Sequence, residues 1–377
     1  MNYSLITIWQ ERQRFLPAVL AVGFSALLIA LQVGLLLGLL TLMSTPVDHA
    51  SADVWVGHPE VQSVDLGRPV PEGWRARLEM QPEVTRVGPC VLGFAYWTRP
   101  SDNGAEACMV LGARLDRGSL GLVRELKGRP DLRARLAEPR TAVIDESELG
   151  RLGLDPARAE QSAEVNGQRL RVVGRARGLK ALGGPYVFCS VETARRLLRQ
   201  RPDQATFLLG RCASPADAAR VVRRLRTYHH TMSAFTRAEL SARSRLHWLF
   251  KTKAGLALGC GAVLGLLVGA VVTGQTLYTA TVASLREYAV LRAQGIPHWR
   301  LQAAVVAQSF WVGAAGVALA VPVAYLLGAA ADWAGTRVSL PPWLVAAAAA
   351  VTLLMALGSG LTALRSLRLI EPAQLLR

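Results

Sequence analysis

Few residues of the types that carry chemistry stand in a spacing that chemistry can use. Cys90, Cys108, Cys189 and Cys212 fall within residues 44–253, and Cys260 lies apart in an apolar run. In an oxidising compartment the first four could form two disulfides, with all three connectivities open; the competing reading is isolated buried thiols, because each stands near an apolar run. None is arranged as CxxC, and the intervals do not match a zinc site. His229 and His230 are adjacent in sequence and so do not share a helix face. Asp145, Glu146 and Glu148 would need a cleft around them to act as acid and base, and a solvated turn with a helix start after Thr141–Asp145 accounts for them. The chain has no GxxxxGK[ST], HExxH or GxSxG, so neither ATP hydrolysis nor metal-assisted hydrolysis is assigned to it. We expect no enzyme, and no cofactor or metal bound by this chain.

The composition points elsewhere. The 377 residues are 51% hydrophobic, and the apolar residues are concentrated in four blocks long enough to cross a bilayer: 17–43, 254–281, 301–328 and 341–364. The first exceeds a signal-peptide core and is read as a retained helix. Gly255, Gly259, Gly261, Gly265 and Gly269 in the second block let helix backbones approach closely. Gln32, Gln275 and Gln308 are the main polar residues inside the blocks and are expected to form hydrogen bonds between helices. With almost nothing to ligate an ion at membrane depth, an ion-driven pump is excluded as the working reading. The formal charge is +16, yet no basic tail or stripe of the kind that binds nucleic acid stands out.

Charge near the block ends sets the orientation. Arg12, Arg14, Arg286, Arg292, Arg300, Arg365, Arg368 and Arg377 outnumber Glu11, Glu287 and Glu371 in the N-terminal stub, the 282–300 link and the 365–377 tail. The 329–340 link carries only Asp332 and Arg337. Cytoplasmic termini and an external 44–253 domain satisfy the positive-inside rule. Within that domain, 52–57, 141–145, the pair flanking Asn166-Gly167, and 185–190 read as strands, the Asn-Gly being a hairpin signal. Residues 191–200 and 214–228 read as helices, the latter started by Ser214 and Pro215. The expected fold is therefore a membrane protein with four transmembrane helices and a large extracytoplasmic α+β domain between helices 1 and 2.

The 276–301 segment carries the most specific message. Leu285, Ala289 and Arg292 can share one helix face, with Arg286, Glu287 and the Gly295-Ile296-Pro297 tip near the cytoplasmic surface, a rigid projection suited to a cytosolic partner. The run Arg286-Glu287, Ala289-Val290-Leu291, Arg292-Ala293-Gln294-Gly295, together with the ending Leu364 to Ala373 that contains Glu371-Pro372, resembles the FtsX-like and MacB-like family of ABC transporter permeases. That resemblance covers nearly the whole chain. ADVWVG after the first span and YVFCSVETARRLL are similar to the DevC-like branch, whose permeases are separate from their ATPase.

The resemblance implies a mechanotransmission permease of the bacterial inner membrane, with a periplasmic domain and both termini cytoplasmic. It implies a homodimer working with a cytosolic ABC ATPase dimer that holds ATP and Mg, with a periplasmic membrane-fusion adaptor and an outer-membrane channel as further partners. Leu285, Arg286, Glu287, Ala289, Val290, Leu291, Arg292 and Gly295 would then form the ATPase-coupling element. The first function expected is an ABC export permease. The alternatives are an FtsX-like transmitter that activates a cell-wall hydrolase, a lipoprotein-extracting permease, and a membrane-anchored receptor without a motor.

Overall fold

The computed structural model describes residues 12–179, 184–283, 297–333 and 337–369. The chain divides into two compact units, residues 1–38 with 254–377, and residues 39–253.

Helix α1 (Arg12–Met43) opens the membrane unit and carries Pro17 within it. A four-residue helix, α2 (Thr45–Asp48), follows and leads into the α+β unit. There the strands are β1 (Val54–Gly57), β2 (Val70–Pro71), β3 (Val84–Thr98), β4 (Ala105–Ala113), β5 (Thr141–Asp145), β6 (Gln161–Val165), β7 (Gln168–Ala176), β8 (Tyr186–Ser190), β9 (Gln204–Ala205), β10 (Phe207–Cys212) and β11 (Ser233–Thr236). Interleaved with them are α3 (Arg75–Glu79), α4 (Arg124–Lys127), α5 (Pro130–Leu136), α6 (Val191–Leu197), α7 (Ala218–Tyr228) and α8 (Arg237–Lys251). The membrane unit resumes with α9 (Lys253–Ala283), α10 (His298–Trp333) and α11 (Pro342–Leu369).

Among the described residues, nine strands form one sheet in the order β11-β1-β10-β3-β4-β8-β5-β7-β6, and β2 pairs with β9. The fifteen-residue β3 organises it: its first half pairs with β10, its second half with β4. At its end, Trp97 and Thr98 pair with Val165 and Glu164 of β6, so six strands close into a ring. Alternate residues of those six strands, among them Val91, Trp97, Val110, Ile144, Val165, Val172 and Val187, form one buried cluster. Period-2 alternation sends them all to one face. Trp97 is fully buried, and its indole N–H donates to Leu152 O at 3.0 Å, so the large apolar surface goes inside without an orphaned donor. On the opposite face Trp55 meets Phe207 edge-on, ring centroids 5.6 Å apart, over α4, α5 and the 64–66 turn. A third cluster lies beneath α7.

The hairpin at Asn166-Gly167 forms as expected, between β6 and β7, with φ of 49° and 78° at the two turn residues. Strands β1, β5 and β8 and helices α6 and α7 also fall where the sequence places them, with α6 ending at Leu197 and α7 starting at Ala218 after a single tight turn capped by Ser214. The four apolar helices span Phe15–Met43, Gly255–Thr276, Gln302–Trp333 and Pro342–Leu361.

Candidate functional site

The coupling element named from the sequence, Leu285, Arg286, Glu287, Ala289, Val290, Leu291, Arg292 and Gly295, lies outside the described residues, as do Glu371 and Pro372. What the structure defines is the frame on each side of it. Helix α9 runs to Ala283, and α10 starts at His298 with an exposed Trp299 under the Arg300 guanidinium, 5.3 Å from its ring centroid. An exposed Trp next to a cation at a span end is the usual occupant of a membrane–water boundary.

The frame is held by close backbone contact. A Cβ on Gly316 of α10 would stand 2.9 Å from the Gly23 nitrogen of α1 and 3.0 Å from Val19 O, so a glycine at each position is what allows the two helices to cross. Gly269 of α9 similarly faces Ile29 and Ser25 of α1, and Ser359 Oγ of α11 donates to Gly274 O at 2.8 Å. Of the second-span glycines, Gly265 and Gly269 pack on α1, whereas Gly261 has open space beside it. At Gln32 the expected hydrogen bond between helices is not made: its Oε1 is buried without a partner, pressed against Gly265.

In the α+β unit, α8 is the helix whose chain leads directly into the second span. Thr236 and Glu239 start it with a reciprocal capping box. Arg245 then donates through Nη2 to Asp48 Oδ2 at 2.6 Å and through Nε to Ser44 Oγ at 2.8 Å, while Ser44 Oγ donates to Asp48 Oδ2 at 2.6 Å. Arg237 also donates to Asp48 O. On its other side Ser244 Oγ accepts from Val64 N at 3.0 Å, and Trp248 Nε1 donates to the buried Asp65 carboxylate at 3.2 Å, which Ser63 also bonds. Helix α8 is thus clamped both to α2, which follows the first span in the chain, and to the turn beneath the sheet. Sequence reasoning passed over these residues. The capping box and the four-residue spacing of Leu240, Ser244 and Trp248 were the signals that could have found them.

The disulfides considered from the sequence are not formed. Cys90, Cys108, Cys189 and Cys212 are free and buried, on β3, β4, β8 and β10. Cys90 and Cys212 belong to separate clusters. Cys108 and Cys189 share one, but Cys189 pairs with Gly112, four residues along β4 from Cys108. That is roughly 13 Å of strand, against about 4.4–6.8 Å between bridged Cα atoms. Burial pushes the Cys90 and Cys108 thiols up to about 12 and Cys212 to about 11, and raises Cys189 further. These thiols are core side chains, not nucleophiles.

The carboxylates near β5 are structural as well. Asp145 is buried rather than solvated, accepting from Ser147 N at 2.9 Å and Leu179 N at 2.7 Å. Glu146 pairs with Arg177, whose hydrogen bond holds its carboxyl below the usual range. Among the described residues no group of His, Cys, Asp or Glu could hold a metal ion.

Residues 15–228 match the MacB-like periplasmic core domain, more than half of the chain, and residues 259–372 match the FtsX-like permease C-terminal domain. The fold and these matches define an ABC-type membrane permease. The chain belongs to the MacB/FtsX-like permease family. Among solved structures it is similar to the periplasmic region of MacB from Actinobacillus actinomycetemcomitans, at 11% identity and a TM-score of 0.33, covering 52% of this chain and 94% of that one. It is also similar to the extracellular domain of the noncanonic ABC-type transporter YknZ from Gram-positive bacteria, at 9% identity and a TM-score of 0.33, covering 49% of this chain and all of that one. No curated protein matches the chain.

Proposed function

We propose that this chain is the permease subunit of an ABC export complex of the bacterial inner membrane, and that it converts ATP hydrolysis on a separate ATPase into movement of its external domain. In this reading two copies pair, both termini face the cytoplasm, and a DevC-like arrangement supplies the ATPase as its own chain and a membrane-fusion adaptor outside. ATP and Mg stay on the ATPase. Leu285 to Gly295 is the element the ATPase pushes, and Glu371-Pro372 belongs to the C-terminal family motif.

The observation that carries the reading is the Arg245–Asp48–Ser44 clamp. It ties the two chain segments that enter and leave the external domain, so a displacement of either reaches the domain as one movement. A single soft tether would dissipate that displacement; three mutual hydrogen bonds, all of them charge-assisted, resist it.

The test is ATPase stimulation in proteoliposomes holding this chain and the ATPase that co-purifies with it. Glu287→Arg and Gly295→Trp should leave the chain inserted and abolish stimulation of hydrolysis. Unchanged ATPase binding and activity in both variants would overturn the assignment.

A further inference from the structure

Many arginines of the external domain are matched by carboxylates, among them Arg224 by Glu83, Arg195 by Glu72, Arg177 by Glu146 and Arg171 by Glu138, whereas others, such as Arg169 and Arg223, have no ion pair among the described residues but stand apart from one another. Arg86 and Arg211 are instead direct cross-strand partners between β3 and β10, both exposed, and neither has an ion pair among the described residues. Opposed residues on neighbouring strands hold their Cβ atoms about 5 Å apart, and like charges there cost stability.

Other cations gather round them. The Arg86 guanidinium lies over Gly118, and the Arg114 stem reaches to 4.0 Å from where a Cβ on Gly88 would be. Lys127 donates to Ser51 Oγ at 2.6 Å, and burial, followed by the Arg211 and Arg124 charges and opposed by Asp116, holds its pKa below the ordinary lysine value. Arg114 and Arg124 are exposed and also without an ion pair among the described residues. Beside Arg86 and Arg114 opens a cavity of about 570 Å³, whose carboxylates are Asp116 and Glu79, the latter already engaged by Arg75 at 2.6 Å.

We propose that Arg86, Arg211, Arg114, Arg124 and Lys127 form a binding site for a phosphorylated small molecule, with a phosphate group bracketed by the Arg86–Arg211 pair. Two arginines whose Cβ atoms stand about 5 Å apart can each bring a guanidinium fork to a different edge of one tetrahedral dianion, whereas a planar carboxylate offers one edge to one fork. The concavity favours a small molecule, since its volume falls within the ~300–1,000 Å³ range of ligand pockets. A bound dianion would also relieve the repulsion between the two arginines, which no ion pair among the described residues does. The site lies in the external domain, and the proposal stands whether or not an ATPase drives the chain.

The experiment is isothermal titration of the full chain in detergent micelles with inorganic pyrophosphate at fixed ionic strength. Saturable binding is expected, and the double variant Arg86→Ser/Arg211→Ser should weaken it about tenfold or more, as loss of charge-assisted bonds does. Arg223→Ser, an exposed arginine outside the cluster, should leave it unchanged. An unshifted thermal midpoint in the double variant separates lost binding from lost folding. A short-chain phosphatidic acid below its micelle concentration distinguishes the sources: affinity equal to pyrophosphate supports a soluble phosphorylated ligand, and tighter binding that the double variant abolishes supports a phospholipid headgroup. No saturable binding, equal binding by the double variant, or tighter binding of a hexaglutamate peptide than of pyrophosphate would overturn the proposal; the last would assign the surface to an acidic protein partner.

Discussion

Arg245 and Asp48 lie 197 residues apart in the chain and 2.6 Å apart in space, and Ser44 bonds both. This contact joins the start of the external domain to its exit helix. Both side chains are partly exposed, at 39% and 29%, so the pair is weaker than a buried one and its cost on removal is modest. Its importance is positional.

Replacing Arg245 by Ala should therefore loosen α8 locally before it unfolds the domain. Amide protection across residues 240–248 is expected to fall about fivefold to thirtyfold, the equivalent of about 1–2 kcal/mol, with little change elsewhere in the sheet. Hydrogen exchange read by mass spectrometry checks this. Equal protection in variant and parent would mean that Ser244 and Trp248 hold the helix unaided.

The Gly23–Gly316 crossing makes a paired prediction about the membrane helices. Gly316→Val drives a side chain into the α1 backbone and should cost about 1–3 kcal/mol, as overpacking does. Gly261→Val enters open space and should change stability by about 0.5 kcal/mol or less. Thermal unfolding in detergent compares the two; similar losses would contradict the crossing.

The external thiols should be inert. At pH 8, iodoacetamide should label Cys90 and Cys108 roughly a thousandfold more slowly in the folded chain than in denaturant, because a thiol at about 12 carries so little thiolate. Intact mass without reduction should show no bridge between any two of Cys90, Cys108, Cys189 and Cys212. A mass lower by two hydrogens per pair would contradict the structure.

Acid should weaken the external domain from one direction only. The Arg224 hydrogen bond holds Glu83 below its ordinary value of 4.5, Arg177 does the same for Glu146, and Arg129 holds Asp131 below 3.8. A depressed carboxylate contributes stability that is present above its unfolded pKa and lost as pH falls through the folded one. Stability from these pairs is thus level down to about pH 5 and declines below about 4.5. Denaturant titration against pH reads this, and Arg224→Ala should flatten part of the decline. The Arg177–Glu146 and Arg129–Asp131 pairs are solvent-facing and the Arg224–Glu83 pair is half-buried, so added salt should shrink the effect of the first two most.

How much of this was legible in the sequence depended on what kind of signal each element left. The four spans, the Asn166-Gly167 hairpin and β5 and β8 were plain because apolar length, turn chemistry and short apolar runs are local. Strand β3 was not, because Gly88, Pro89 and Gly93 interrupt it and would ordinarily argue against a strand. Pro89 is tolerated beside the point where β3 passes from pairing with β10 to pairing with β4. The α8 clamp was invisible for another reason: Asp48 and Arg245 acquire meaning only when the sheet brings them together. Cysteine spacing likewise could not tell a bridge from separate core positions, since strand register decides it.

The most direct test of the central claim, that this chain is driven by a separate ATPase through its 285–295 segment, is crosslinking mass spectrometry on the native complex, solubilised gently and purified through this chain. Carboxylate-directed chemistry should join Glu287 and Glu371 to a chain that carries a GxxxxGK[ST] phosphate loop. A purified complex without any such chain, or one whose phosphate-loop chain crosslinks only to the external domain, would contradict the account.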